Sequence, residues 1–318
     1  MVLEMLTGSD IKQDDKEIVE YHHNFQKWKD SLLERINTPW CMFDFPWKFY
    51  KMYHNHNEIV SNMNGFAKRR LEELMVKEKS NNKPKTEGKF ISFLEELSNV
   101  GLSKQELLDE IHAVLFGGFE TTATTTHFFC FMMALYPEYQ ELCRKEIDEV
   151  FSDPLLTHDG TLTYDAVSSL KFVEQCLLET LRLYPPAFML MRNLKKNFIF
   201  DYEGKNVNVP SGTHIIIGAY AIQRSEKYYP NPEVFNPDRF LPEECAKRNP
   251  YTYLSFSAGP RNCVGYKFSM NELKTIVAYM LRKFEITTTD KLNDVTLLPN
   301  ITLTPERGYN FLFKKRKF

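Results

Sequence analysis

The stretch that most constrains this chain is Phe256-Ser-Ala-Gly259-Pro-Arg261-Asn-Cys263-Val-Gly265. A lone cysteine is most often a small buried hydrophobe, but the neighbours of Cys263 argue otherwise. Gly259 and Gly265 allow the backbone to turn tightly and approach another body closely. Arg261 is a permanent cation two residues away. The apolar positions Phe268, Leu273, Ile276, Val277, Met280, Leu281 and Phe284 recur at helical spacing, which predicts a helix opening just after Cys263. The positive end of such a helix favours an ionised sulfur. Together these features predict a caged thiolate.

Upstream, residues 1–80 are helical in character with breaks expected at Pro39 and Pro46, and Ser80 to Lys89 reads as a surface loop. A short amphipathic helix is expected over Phe90–Leu97. Trp28, Trp40 and Trp47 read as core or interface aromatics, and His54 and His56 as a solvated helix face. Ser103-Lys-Gln-Glu106 is a capping-box signature. It opens a helical pattern that runs to Tyr136 and stops at Pro137. The middle of that helix is poor in helix formers: Gly117 and Gly118, then Thr121, Thr122, Thr124, Thr125 and Thr126. Close packing against a neighbour is the simplest reason for glycines there. Pro137–Phe151 reads as a surface helix with Glu138, Glu141, Lys145, Glu146, Asp148 and Glu149 outward. Phe172–Tyr184 reads as a helix with one apolar face: Val173, Cys176, Leu177, Thr180, Leu181 and Tyr184. Within it Glu179 and Arg182 stand at i, i+3, a spacing that alone implies only an exposed ion pair. Strand-like runs follow at 198–200, 207–209 and 213–217, and a turn with a final strand at 306–313.

Composition excludes several classes. With 318 residues, 43% hydrophobic and 26% charged, the chain has an ordinary globular balance and can bury a large core. A net charge of −2 argues against nucleic acid. The six cysteines form no CxxC pair, which suits reduced thiols in a cytosol-facing protein. No segment approaches the roughly 20 apolar residues a bilayer span needs, and Glu4, Asp10 and Asp14 argue against a signal peptide. The closing Lys314–Lys317 run reads as a solvated tail.

The cysteine stretch, F-x-x-G-x-R-x-C-x-G, resembles the haem-binding loop of the cytochromes P450 at every fixed position: Phe256, Gly259, Arg261, Cys263 and Gly265. Three further blocks fall in the family's order. Gly117-Gly118-Phe-Glu120-Thr121-Thr122 resembles its oxygen-side helix motif. Glu179-Thr-Leu-Arg182-Leu-Tyr-Pro-Pro resembles its ExxR helix, and Asn236-Pro-Asp-Arg239-Phe240 the meander that supplies a second arginine. The segment Asn37–Pro46 is similar to one in the family 4 group as found in insects.

The resemblance implies a mainly α fold with small β-sheets, a long central helix lying over the haem, and one partial domain spanning 1–318 whose anchor and first helices lie upstream. Cys263 would be the axial ligand of a non-covalent haem b, since Gly117 stands where many family 4 members carry a glutamate that can be esterified to the haem. Gly117 and Gly118 would let the helix pass over the haem. Arg192 and Arg261 would meet its propionates, and Ala187–Leu190 would line the substrate pocket. Glu120 and Thr121 would be the acid–alcohol pair that relays protons during dioxygen cleavage. Glu179, Arg182 and Arg239 would form a buried structural network. Gln223-Arg224 departs from the His-Arg common at its position, and no tryptophan carries an arginine four residues on. The function implied is a monooxygenase that inserts one atom of O2 into an apolar substrate (fatty acid, hormone or xenobiotic). Its electrons would come from NADPH through cytochrome P450 reductase, at the cytosolic face of the endoplasmic reticulum membrane. Two alternatives stand beside it. One is an inactive fragment without a complete haem pocket. The other is an isomerase or dehydratase of the same fold, which the presence of Glu120 and Thr121 disfavours.

Overall fold

The computed structural model describes residues 2–7, 16–80 and 93–317. Helices dominate, and each sheet among the described residues is a two-stranded antiparallel pair. The chain divides into two compact units, one ending at Phe119 and one starting at Glu120.

The first unit is helical: α1 (Val2–Thr7), α2 (Lys16–Asn37), α3 (Asp44–Lys48), α4 (Met52–Ser80), α5 (Phe93–Ser98) and the opening half of α6 (Lys104–Leu135). Its core is aromatic. Tyr21 and Phe25, one turn apart on α2, meet Phe66 and Phe116 at ring-centroid distances of 4.5 and 5.8 Å, and Trp28 meets Phe116 edge-on at 5.9 Å. Only Pro39 behaves as a break. Pro46 is the third residue of α3, where a backbone N–H has no intrahelical partner to lose. Trp47 is buried and Trp28 half-buried, but Trp40 is 64% exposed. His54 is solvated, whereas His56 is half-buried and hydrogen-bonds Ser31 Oγ at 2.8 Å. Beyond Ser80, the expected loop lies outside the described residues, as does the start of the helix expected at Phe90.

In the capping box of α6, the Ser103 amide donates to Glu106 Oε2 at 2.8 Å and the Glu106 amide to Ser103 Oγ at 3.3 Å. The helix then continues unbroken to Leu135. Six consecutive residues, Phe128–Met133, are buried, so this end is enclosed on all sides.

In the second unit α6 is followed by α7 (Pro137–Ser152), the hairpin β1 (Thr157–His158) and β2 (Thr161–Leu162), α8 (Tyr164–Ser169) and α9 (Lys171–Leu183). Then come β3 (Leu190–Asn193), β4 (Phe198–Tyr202), β5 (Lys205–Val209), β6 (His214–Ile217), α10 (Ala219–Ile222) and α11 (Pro242–Lys247). The chain closes with α12 (Tyr266–Lys283), β7 (Phe284–Thr288), β8 (Leu297–Pro299), β9 (Leu303–Pro305) and β10 (Phe311–Lys315). The pairs are β3 with β6, β4 with β5, β7 with β10 and β8 with β9. The core joins α6, α7, α9 and α12 through residues such as Phe131, Ile147, Leu177 and Val277.

Three readings of the sequence change here. Glu146 is not a solvated helix residue: it is half-buried, and its carboxylate accepts the amides of Lys171, Phe172 and Val173 at 2.8, 2.8 and 2.9 Å. It therefore supplies the cap that Leu170 cannot. Asp148, half-buried, accepts both terminal nitrogens of Arg316 at 3.3 and 2.6 Å. The basic C-terminal run is thus not a free tail: Lys314 and Lys315 of β10 pair with Glu285 and Phe284 of β7, and Arg316 is tied down.

Candidate functional site

The cysteine loop is built by backbone geometry. The Cys263 amide donates to Phe256 O at 2.9 Å, the Asn262 amide to Gly259 O at 3.1 Å and the Ser257 amide to Leu254 O at 2.8 Å. Ser257 and Gly259 take left-handed conformations, with φ of +62° and +78°. A glycine at 259 adopts this without steric cost, while Ser257 carries local strain. Phe256 stacks edge-on against Tyr266 at 4.6 Å, fastening the start of the loop to the first residue of α12. A Cβ on Gly265 would approach Cys263 Sγ to 3.9 Å. The cap residue of α12 is Gly265 itself, which offers no side-chain acceptor to the first amides, so the helix presents its positive end on the side of Cys263. Cys263 is unbridged and exposed, and Arg261, two residues before it, is exposed as well.

Arg192, on β3, donates from Nη2 to Ser257 Oγ at 2.9 Å and from Nη1 to Met191 O at 2.9 Å. One guanidinium is thereby held against the loop that carries the cysteine.

Glu179, Arg182 and Arg239 come together. Arg182 grips Glu179 through Nε and Nη2 at 2.7 and 2.9 Å, with both side chains fully buried. Arg239 Nε lies 3.4 Å from Glu179 Oε1, and the Asn236 amide donates to the same oxygen at 2.8 Å. Arg239 also donates to Pro230 O and Asn231 O at 2.7 and 2.9 Å. Burial pushes the Glu179 carboxyl up, and the Arg182 guanidinium works against that. The result ties α9 to the stretch ahead of the cysteine loop.

Gly117, Gly118, Glu120 and Thr121 share one continuous helix, and Gly117 and Thr121 are one turn apart on one face. Gly117 is exposed, and a Cβ built on it would meet nothing within 4 Å, so protein packing does not explain a glycine there. Glu120 is buried and accepts a hydrogen bond from Thr302 Oγ1 at 3.0 Å. Thr125 donates back to Thr121 O at 2.7 Å and Thr126 to Thr122 O at 2.9 Å. Thr122 Oγ1 donates to Glu272 Oε2 of α12 at 3.3 Å, and burial raises the Glu272 carboxyl above the usual range.

Thr302 and Glu272 carried no sequence signal. Their partners lie 182 and 150 residues away, so only the fold pairs them.

The donor set suits a haem iron. Among the described residues no group of three or more His, Cys, Asp or Glu side chains could hold a bare metal ion. A single cysteine thiolate is one of the ligands that hold a haem iron.

The class defined so far is a helical protein with a cysteine loop just ahead of one helix and a Glu–Thr pair on a long second helix. The cytochrome P450 family profile matches residues 3–313, and the chain belongs to the cytochrome P450 family. It is 33% identical over 293 residues to cytochrome P450 4c3 of Drosophila melanogaster, covering 85% of this chain and 52% of that protein. To cytochrome P450 4V2 of Mus musculus it is 30% identical, covering 99% of this chain and 61% of the relative. To cytochrome P450 4B1 of Rattus norvegicus it is 32% identical, covering 93% and 54%. The chain therefore spans little more than half the length of the relatives it matches.

Proposed function

We propose that the chain is the larger part of a haem-thiolate monooxygenase acting on an apolar substrate such as a fatty acid, a hormone or a xenobiotic. The observation that carries this reading is Cys263, exposed at the uncapped N-terminus of α12 on a loop shaped by the left-handed Gly259. When bound, the haem supplies the activation of O2, which thiolate ligation favours by pushing electron density toward O–O cleavage.

The residues of this chain would do the rest. Cys263 Sγ, just ahead of the N-terminus of α12, would be the ligand that holds the group. Arg192 and Arg261 neutralise the two propionates. Gly117 and Gly118 would offer a stretch of helix without side chains. Dioxygen cleavage consumes protons, and in this reading Glu120 and Thr121 would pass them along. The Glu120 carboxyl is held by Thr302 Oγ1, and Thr121 Oγ1 is the hydroxyl at the next position. The Glu179–Arg182–Arg239 network does structural work, holding α9 and the stretch before the loop in register.

Electrons would come from NADPH through cytochrome P450 reductase. Placement at the cytosolic face of the endoplasmic reticulum membrane goes with this reading. No helix among the described residues is long and apolar enough to cross a membrane. The whole of residues 1–318 is read as part of one P450 domain.

Thr121→Ala tests the relay. It should leave haem binding intact and divert electrons from product to peroxide, lowering product per NADPH several-fold. Unchanged coupling would remove Thr121 from the relay.

A further inference from the structure

Gln223 is fully buried, and all four hydrogen-bonding positions of its side-chain amide are used. Nε2 donates to Leu181 O and Arg182 O at 3.3 and 2.9 Å, the last carbonyls of α9. Oε1 accepts the Leu254 amide at 2.6 Å and lies 3.1 Å from Ser255 Oγ, whose one hydroxyl proton it shares with Leu181 O at 2.9 Å. Its main-chain oxygen accepts Arg182 Nη1 at 2.8 Å. One side chain thus joins the end of the helix bearing Glu179 and Arg182 to the two residues that lead into Phe256, whose carbonyl holds the Cys263 amide.

We propose that Gln223 is a positioning residue for the cysteine loop, setting where Cys263 stands relative to α9. The inference rests on the haem-thiolate reading for its functional meaning but not for its structural test. The amide is specifically required. Two donors and two acceptors face the position, and no other neutral side chain of this length supplies both. A carboxylate would leave Arg182 O without its donor and Leu181 O with only the Ser255 hydroxyl. A neutral imidazole has one donor and one acceptor. A methionine fills the volume and satisfies nothing.

The test compares the wild type with Gln223→Met and with Glu146→Ala. Glu146→Ala serves as the control because it removes the cap from the other end of α9, away from Gln223. Hydrogen exchange is followed in peptides covering 254–263 and in α12. Gln223→Met should speed exchange at 254–263 by about tenfold or more, the order expected for losing buried hydrogen bonds, with α12 unchanged. Glu146→Ala should lower overall stability without that local effect. A second readout, the absorption of the reduced, carbon-monoxide-bound haem protein, should show a larger share of the neutral-ligand band in Gln223→Met than in Glu146→Ala.

Unchanged exchange at 254–263 in Gln223→Met, or the same pattern in both variants, would overturn the proposal. A wild type without a thiolate band would instead count against the haem-thiolate reading, and the exchange result would still decide the role of Gln223.

Discussion

Arg182 holds Glu179 in a bidentate grip at 2.7 and 2.9 Å, and neither side chain has any exposed surface. A buried pair of this kind contributes little over a well-packed apolar pair, yet removing one partner strands the other charge. Arg182→Met should therefore cost about 3–5 kcal/mol. Arg182→Lys should also be strongly destabilising, because an ammonium cannot reproduce the fork that reaches Glu179, Gln223 O and Val234 O together. Urea denaturation of the two variants checks this; a midpoint for Arg182→Lys equal to wild type would show that the fork geometry is unimportant.

Glu146 and Val173 define the second expectation. The Glu146 carboxylate takes three amides at the start of α9, and Leu170 at the cap position has no side-chain acceptor. Glu146→Ala should lose at least about 1–2 kcal/mol, the upper range for a lost helix cap, and Glu146→Gln less. Thermal melting of both variants measures it, and equal losses would mean that packing rather than capping is responsible.

The third concerns pH. His112 in the first unit sits between Tyr21 Oη at 3.4 Å and Asn64 Oδ1 at 2.9 Å, and burial lowers its pKa below the usual 6.5. Asp109 pulls weakly the other way. His56 and His127 are lowered by burial as well. The unfolded chain then binds more protons than the native one between the depressed values and 6.5. Stability is fully present above that range and is lost as the pH falls through it. Denaturation midpoints should drop between pH 7.5 and 5.5, and His112→Gln should flatten the slope. A midpoint independent of pH in the wild type would contradict this.

The sequence carried the skeleton of the site, because its signals are local. Ser103 and Glu106 mark a helix start three residues apart, Pro137 marks its end, and the apolar face of α9 follows from period alone. The fixed positions from Phe256 to Gly265 lie within ten residues, and family membership follows from them. What the sequence hid is long-range. An outward-looking Glu146 becomes a cap only because α9 begins beside it. Trp40 and Trp47 look alike in sequence, yet one is 64% and the other 3% exposed. Gln223, seen only as a departure from a family pattern, shows its role once Leu254 and the end of α9 are placed around it.

The most direct measurement of the central claim is the absorption spectrum of the reduced, carbon-monoxide-bound protein, taken for the wild type and for Cys263→Ala. Ligation by Cys263 should give the wild type a Soret band at the long-wavelength position characteristic of the family, and Cys263→Ala should lose it. A wild type that binds haem without that band, or a Cys263→Ala variant that keeps it, would contradict the assignment of Cys263 as the axial ligand.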